Sequence, residues 1–137
     1  MSDVPNGFAL HARQSPAIQS WQPIYAKVTE SSYRLGCWIG QAHCNSRGFL
    51  HGGVIATLAD NAMGLTYGLG LGSPDGIVTL KLDVDYLASG RMDDWLEIRP
   101  CLIRGGKTIG FVDADVFSED LRIARASAIF RTIRANS

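Results

Sequence analysis

Between Asn45 and Gly64 the chain reads N-S-R-G-F-L-H-G-G-V-I-A-T-L-A-D-N-A-M-G, and several residues in that stretch are of types that do chemistry. His51-Gly52-Gly53 stands where a turn passes into a helical pattern. The first N–H groups of a helix have no partner inside it, and the dipole there is positive. Glycines let a ligand approach that backbone closely, so such an entry can hold an anion or the oxygen of a polarised carbonyl. The same pair also suits a helix entry that needs flexible φ/ψ. Asp60 lies inside the helical pattern, flanked by Leu58, Ala59, Ala62 and Met63. A carboxylate among apolar residues costs several kcal/mol unless it is paired, protonated or solvated in a pocket. It can serve as a general base or nucleophile. Alternatively Thr57, Asp60, Asn61 and Gly64 form one wet helix face. Asn45 and His51 flank the turn, and either can hydrogen-bond a substrate carbonyl or a water. A metal site from His43, Cys44, His51 and Asp60 is disfavoured, because no pair has helical ligand spacing of the HExxH kind.

The elements that must position these groups follow from periodicity. Val54, Ile55, Leu58, Ala59, Ala62, Met63 and Leu65 recur at helical spacing from His51 to about Tyr67, with no proline inside. Gly68, Gly70 and Gly72 end the pattern. This helix is apolar on most of its circumference, which calls for wrapping by other structure. Ser15-Pro16 reads as an N-cap followed by Pro at the first helical position, opening a short helix to about Trp21. Tyr33–Cys44 alternates in parts and reads as a strand, followed by the turn cluster Asn45-Ser46-Arg47-Gly48. Ile77–Leu87 alternates most cleanly, with Val78, Leu80, Leu82, Val84 and Tyr86 on one parity and Thr79, Lys81, Asp83 and Asp85 on the other. Strands over Trp95–Arg104, Thr108–Phe117 and Leu121–Ile133 complete the set. Arg104-Gly105-Gly106-Lys107 reads as a glycine hairpin and Ser118-Glu119-Asp120 as a turn. A strand, a long buried helix and four strands in a row predict an α+β fold, one antiparallel sheet curled around a central helix.

The 137 residues suit one domain, with 1–14 as a polar N-terminal arm, mobile or docked on a partner, and 15–137 as the folded unit. Lys+Arg and Asp+Glu are both 13, which removes the basic bias of a general nucleic-acid binder and leaves little repulsion between copies. No apolar run approaches the roughly 20 residues of a membrane span, and the first residues lack a signal-peptide pattern. Cys37, Cys44 and Cys101 form no CxxC and read as reduced, small hydrophobes. The expected setting is cytoplasmic, with neither nucleic acid nor membrane as a partner.

The run Asn45…His51-Gly52-Gly53…Asp60 resembles the signature of the hotdog-fold acyl-CoA thioesterases, specifically the PaaI-like (phenylacetate-pathway) branch of the 4-hydroxybenzoyl-CoA thioesterase superfamily. The resemblance covers nearly the whole chain from about Ser15, and Val78–Leu87 looks like the family's second strand. A sister branch carries Glu where this chain has Asp60. Where the family often has Pro after that strand, this chain has Ala88-Ser89-Gly90. The resemblance implies a five- or six-stranded antiparallel sheet around the helix. It also implies a homodimer with a sheet continuous across the interface, often paired into tetramers, and two active sites per dimer. By residue, it implies Asp60 as nucleophile or general base and the Gly52 N–H as oxyanion donor. It implies His51 supporting the turn or contacting the thioester, Asn45 orienting water or the carbonyl, and Thr79 near the attacking water.

The substrate so implied is an acyl-CoA, with no cofactor besides the coenzyme A of the substrate. Its carbonyl would approach Gly52 and Gly53, and its phosphates would meet Arg91, Arg104 and Lys107. Arg104 and Lys107 flank Gly105-Gly106, which could form an anion nest. Met63, Tyr67, Trp38 and Phe49 either line an acyl pocket or belong to the core. Two rival functions are a non-catalytic acyl-CoA-binding hotdog domain and a hotdog dehydratase or hydratase.

Overall fold

A computed structural model describes residues 3–12, 15–72 and 74–134. In chain order the elements are β1 (Ala9–Leu10), β2 (Tyr25–Val28), β3 (Tyr33–Trp38), α1 (Gly52–Leu69), β4 (Gly76–Tyr86), β5 (Trp95–Gly105), β6 (Ile109–Ser118) and β7 (Leu121–Ile133). Short 3-10 turns cover Pro16–Trp21 and Gln41–His43. The strands form one antiparallel sheet in the order β1-β2-β3-β5-β6-β7-β4. No helix among the described residues is long and apolar enough to cross a membrane.

The helix lies against one face of this sheet. From α1, Val54, Ile55, Leu58, Ala59, Ala62, Met63 and Tyr67 are buried against Leu35 and Cys37 of β3, Leu96 and Ile98 of β5, Val112 and Val116 of β6, and the inner side of β7. That side of β7 is Ala124, Ala126, Ala128 and Phe130. Three small side chains in a row let the helix settle close to the sheet, and close packing makes each buried contact count. Met63 and Tyr67 are therefore core, not acyl-pocket lining. Trp38 joins an edge-to-face cluster with Trp95, and Phe49 is exposed.

The β4 strand holds the main departure from the pattern read above. Its pairing with β7 slips between Thr79 and Lys81: Thr79 faces Phe130, Lys81 faces Ile129, and Leu80 is the surplus residue of a bulge. A single extra residue reverses the parity of everything beyond it. Ile77 before the bulge and Leu82 and Val84 after it all pack on the core, whereas Val78 and Leu80 are exposed. Thr79, grouped by simple alternation with Lys81, Asp83 and Asp85, instead faces the helix.

Other differences are local. The sheet has seven strands instead of five or six, because short β1 and β2 add to its far edge. The strand expected over Tyr33–Cys44 stops at Trp38, where the Ile39 N–H turns to the Asp94 carbonyl and the chain coils through Gln41–His43. Pro16 does open a helical turn, but Ser15 makes no side-chain cap. Of the N-terminal arm, residues 1–2 and 13–14 lie outside the described residues. In the remainder, β1 pairs with β2 and Phe8 packs edge-on against Trp95. The strand compared with the family's second is the fourth in chain order.

Candidate active site

The turn before α1 is built by Asn45. Its Oδ1 accepts the N–H groups of Arg47 (2.9 Å) and Phe49 (3.2 Å). Gly48 closes the turn at φ +82°, a conformation that favours glycine. With Oδ1 occupied, the Asn45 amide presents Nδ2 as its remaining hydrogen-bonding group. Beneath the turn, the His43 carbonyl accepts the His51 N–H at 2.9 Å, and His43 Nδ1 accepts the Gly40 N–H at 2.9 Å. His43 is buried, and desolvation holds its pKa below the ordinary histidine value. Its Nε2 sits 3.7 Å from the Cys37 thiol, whose own pKa burial pushes up to about 12. His43 and Cys37 thus belong to the scaffold. Among the described residues, no group of three His, Cys, Asp or Glu side chains is placed to hold a metal.

His51 is the N-cap of α1. Its extended backbone (φ −73°, ψ 133°) feeds the helix, and its Nδ1 accepts the Gly53 N–H at 2.8 Å. That bond removes Gly53 from the groups able to receive a ligand through its N–H. Gly53 is small for a different reason: a Cβ there would lie 3.0 Å from His51 Nδ1. The Gly52 N–H, by contrast, has no acceptor among the described residues. It is a free donor at the positive end of an 18-residue helix.

Asp60 lies eight residues further along α1, about 12 Å at 1.5 Å per residue. It belongs to the half-open stripe Thr57, Asp60, Asn61, Gly64 and Gly68, so the wet-face reading and the functional reading describe the same side of the helix. One of its carboxylate oxygens, Oδ1, accepts the Thr79 hydroxyl at 2.7 Å. The β4 bulge makes this contact, since it turns Thr79 toward the helix. Asp60 borders an open groove of about 580 Å³ whose walls include Tyr33, Gly64, Leu65, Ile77 and Phe130.

The three expected phosphate ligands are not together in one chain. Arg91 is exposed beside the helix entry, where it bridges to Phe49. Arg104 and Lys107 are exposed at the β5–β6 hairpin, at the other end of β5. An 11-residue strand separates the two places by about 30 Å. The hairpin is tied to the C-terminal end of α1 by the Tyr67 hydroxyl, which donates to the Gly106 carbonyl at 2.6 Å. The nest expected at Gly105-Gly106 is closed, because the Gly106 N–H donates to the Ile109 carbonyl.

Tyr86, at the end of β4, was not singled out by spacing. Its hydroxyl donates to the Gly52 carbonyl at 2.7 Å. No local pattern links positions 52 and 86; the contact exists only once β4 lies beside the helix.

Comparison with known proteins bears on the family and the fold. The Thioesterase superfamily model matches residues 47–124. The Pseudomonas aeruginosa protein named "Putative esterase PA0474" is 30% identical over 131 residues, covering 95% of this chain and 98% of the relative. A hypothetical thioesterase of Streptococcus pneumoniae, solved with coenzyme A, superposes with a TM-score of 0.73 at 24% identity, covering 84% of this chain and 94% of that one. A mutant form of the phenylacetic acid degradation protein PaaI of Thermus thermophilus superposes with a TM-score of 0.75 at 18% identity, covering 85% and 98%. With the helix-in-sheet architecture and a match spanning most of its length, the chain belongs to the thioesterase superfamily and has the hotdog fold.

Proposed function

We propose that this protein hydrolyses acyl-CoA thioesters, in the manner of the PaaI-like branch, at sites shared between two copies of the chain. The observation that carries the proposal is the placement of two complementary groups on one helix. The free Gly52 N–H and the Thr79-held Asp60 carboxylate stand on backbone positions about 12 Å apart along the axis of α1, more than one thioester carbonyl spans between its donor and its attacking group. A second copy supplies the missing half of each site. The sheet offers the means: β4 is its outermost strand, with Val78, Leu80 and Leu87 exposed on or beside it. Edge strands of this length and apolarity pair readily with another chain. Two β4 strands meeting about a two-fold axis form a homodimer and lay the half-open stripes of the two helices against each other.

In such a site the thioester carbonyl oxygen accepts the Gly52 N–H of one copy. The helix dipole favours the negative charge that develops there, and one such donor is worth about 3–4 kcal/mol. Asp60 of the other copy, with Oδ1 held by Thr79, uses its second oxygen. It either takes a proton from a water that adds to the carbonyl carbon, or adds to that carbon itself to give a mixed anhydride that water then cleaves. In both cases the C–S bond breaks and the coenzyme A thiol leaves with one proton. Asn45 Nδ2 and the outward edge of His51 are donors at the same turn, suited to the carbonyl or the water. Arg91 at the helix entry and Arg104 and Lys107 at the hairpin are the cations offered to the phosphates, from different copies. The Streptococcus pneumoniae neighbour, solved with coenzyme A, supports this ligand class.

The test is a panel of acyl-CoA esters with thiol release followed by a thiol reagent. Release above the uncatalysed rate, abolished by Asp60→Ala, is the expected result. Binding without release would make the protein a carrier or sensor of acyl-CoA, and conversion of an enoyl-CoA without release would make it a hydratase.

A further inference from the structure

We infer that Tyr86 is a positioning residue of this site: its hydroxyl begins a hydrogen-bond chain that crosses the Gly52–Gly53 peptide and fixes His51 as an outward Nε2–H donor. The inference rests on the thioesterase reading above and adds a residue to it.

Three observations meet here. The Tyr86 hydroxyl donates to the Gly52 carbonyl at 2.7 Å. The N–H of the same peptide group, that of Gly53, donates to His51 Nδ1 at 2.8 Å. The Tyr86 ring lies against Gly52, where an added Cβ would meet ring carbons at 3.2 Å. Yet Tyr86 is 52% exposed in the chain, so core packing does not account for its position.

A peptide group transmits polarisation. A donor on its oxygen draws density toward the carbonyl and makes the N–H on its other side a stronger donor. The carbonyl at the first turn keeps a lone pair beyond the one a helix uses, and the phenol takes it. The strengthened Gly53 N–H then favours an Nδ1 that accepts. A neutral imidazole whose Nδ1 accepts carries its proton on Nε2, so that edge of the ring is a donor. The chain therefore runs from the Tyr86 O–H through Gly52 C=O and Gly53 N–H to Nδ1, and it ends in an N–H able to meet a thioester oxygen. The same contacts hold the Gly52 backbone in place, and with it the free N–H one atom group away.

Tyr86→Phe keeps the ring and removes only the donor. Losing one such hydrogen bond predicts a fall in kcat of about five- to tenfold, with KM changed by less than about twofold. In protein with ¹⁵N-labelled histidine, wild-type His51 should show a single Nε2–H tautomer, and Tyr86→Phe a mixture. A fall in kcat together with a tautomer mixture supports the inference. Unchanged kcat overturns it, and so does a fall in kcat with the tautomer unmoved, which would place Tyr86 on the substrate directly. Wild-type His51 protonated at Nδ1 overturns it without any variant. If wild type releases no thiol from any ester, the thioesterase reading fails, and the tautomer measurement still decides whether the chain exists.

Discussion

Gly52→Pro and Asp60→Asn break the proposed site from two ends of one helix, and mixing them should restore activity that neither has alone. Proline is well tolerated at the first helical position, where it removes the N–H and little else. The preceding His51 already has the extended backbone that proline requires. Its ring atoms press on Tyr86, which is half-exposed and can yield. Gly52→Ala carries the same Cβ contact but keeps the N–H, and so serves as the control. Loss of one oxyanion donor should lower kcat by about 100-fold or more. Asp60→Asn, which keeps the shape and removes the carboxylate, should lower it at least as far. The geometry decides what happens on mixing. A carbonyl oxygen about 3 Å from its donor, with its carbon about 3.3 Å from an attacking oxygen, spans roughly 7–8 Å. Gly52 and Asp60 stand about 12 Å apart along the helix axis, beyond that span and beyond the roughly 10 Å reached through a bridging water. In a co-expressed one-to-one mixture half the dimers are mixed, and each holds one intact and one doubly broken site, so about a quarter of wild-type activity returns. The assay is thiol release from the best ester of the panel, with mass spectrometry confirming that mixed dimers formed. A mixture no more active than its parents, with mixed dimers present, would refute the two-copy site.

Thr79→Val should lower kcat about tenfold with KM little changed, since a hydrogen bond to a charged group is worth about 1.5 kcal/mol at a half-open site, and Thr79→Ser should recover most of it. Leu80→Arg, placed on the exposed bulge of the edge strand, should leave circular dichroism intact while light scattering shows monomers and thiol release is lost. The His43 pKa is held below its ordinary 6.5, so the unfolded chain binds the proton more readily than the folded one. The stabilisation from neutral His43 is thus complete above pH 6.5 and lost as pH falls through the lower folded value. Urea midpoints taken between pH 7.5 and pH 5 should fall for wild type, and fall less for His43→Gln.

What could be read from residue order was whatever the chain states locally. The helix from His51 is legible because eight buried positions repeat at its period. Strands β5, β6 and β7 are legible because alternation and turn residues bound them within a residue or so. The candidate site is legible at its centre only in that Asn45, His51, Gly52 and Asp60 lie within one run. Elsewhere the deciding event is long-range. Val78 and Leu80 look like Leu82 and Val84 in the pattern, and only pairing with β7 shows that a surplus residue separates them. Tyr86 meets Gly52 across 34 positions, and Arg91 is parted from Arg104 by a whole strand, neither of which composition reveals. Gly53 read as a ligand contact because glycine pairs often are one; the His51 ring claims its N–H instead.

The surplus residue in β4 also sets which kinds of sequence change the protein can absorb. Replacing Leu80 alters a surface, and deleting it would join Thr79 to Lys81, whose partners Phe130 and Ile129 are already consecutive, so the strand would alternate without a break. Ile77 and Thr79 would keep the helix side and Leu82 and Val84 the core side, whereas a residue lost from β7 opposite the bulge would leave β4 with two surplus residues. One codon lost at the bulge would therefore leave the acid's support standing, where one codon lost in β7 would turn half of that strand's small side chains away from the helix.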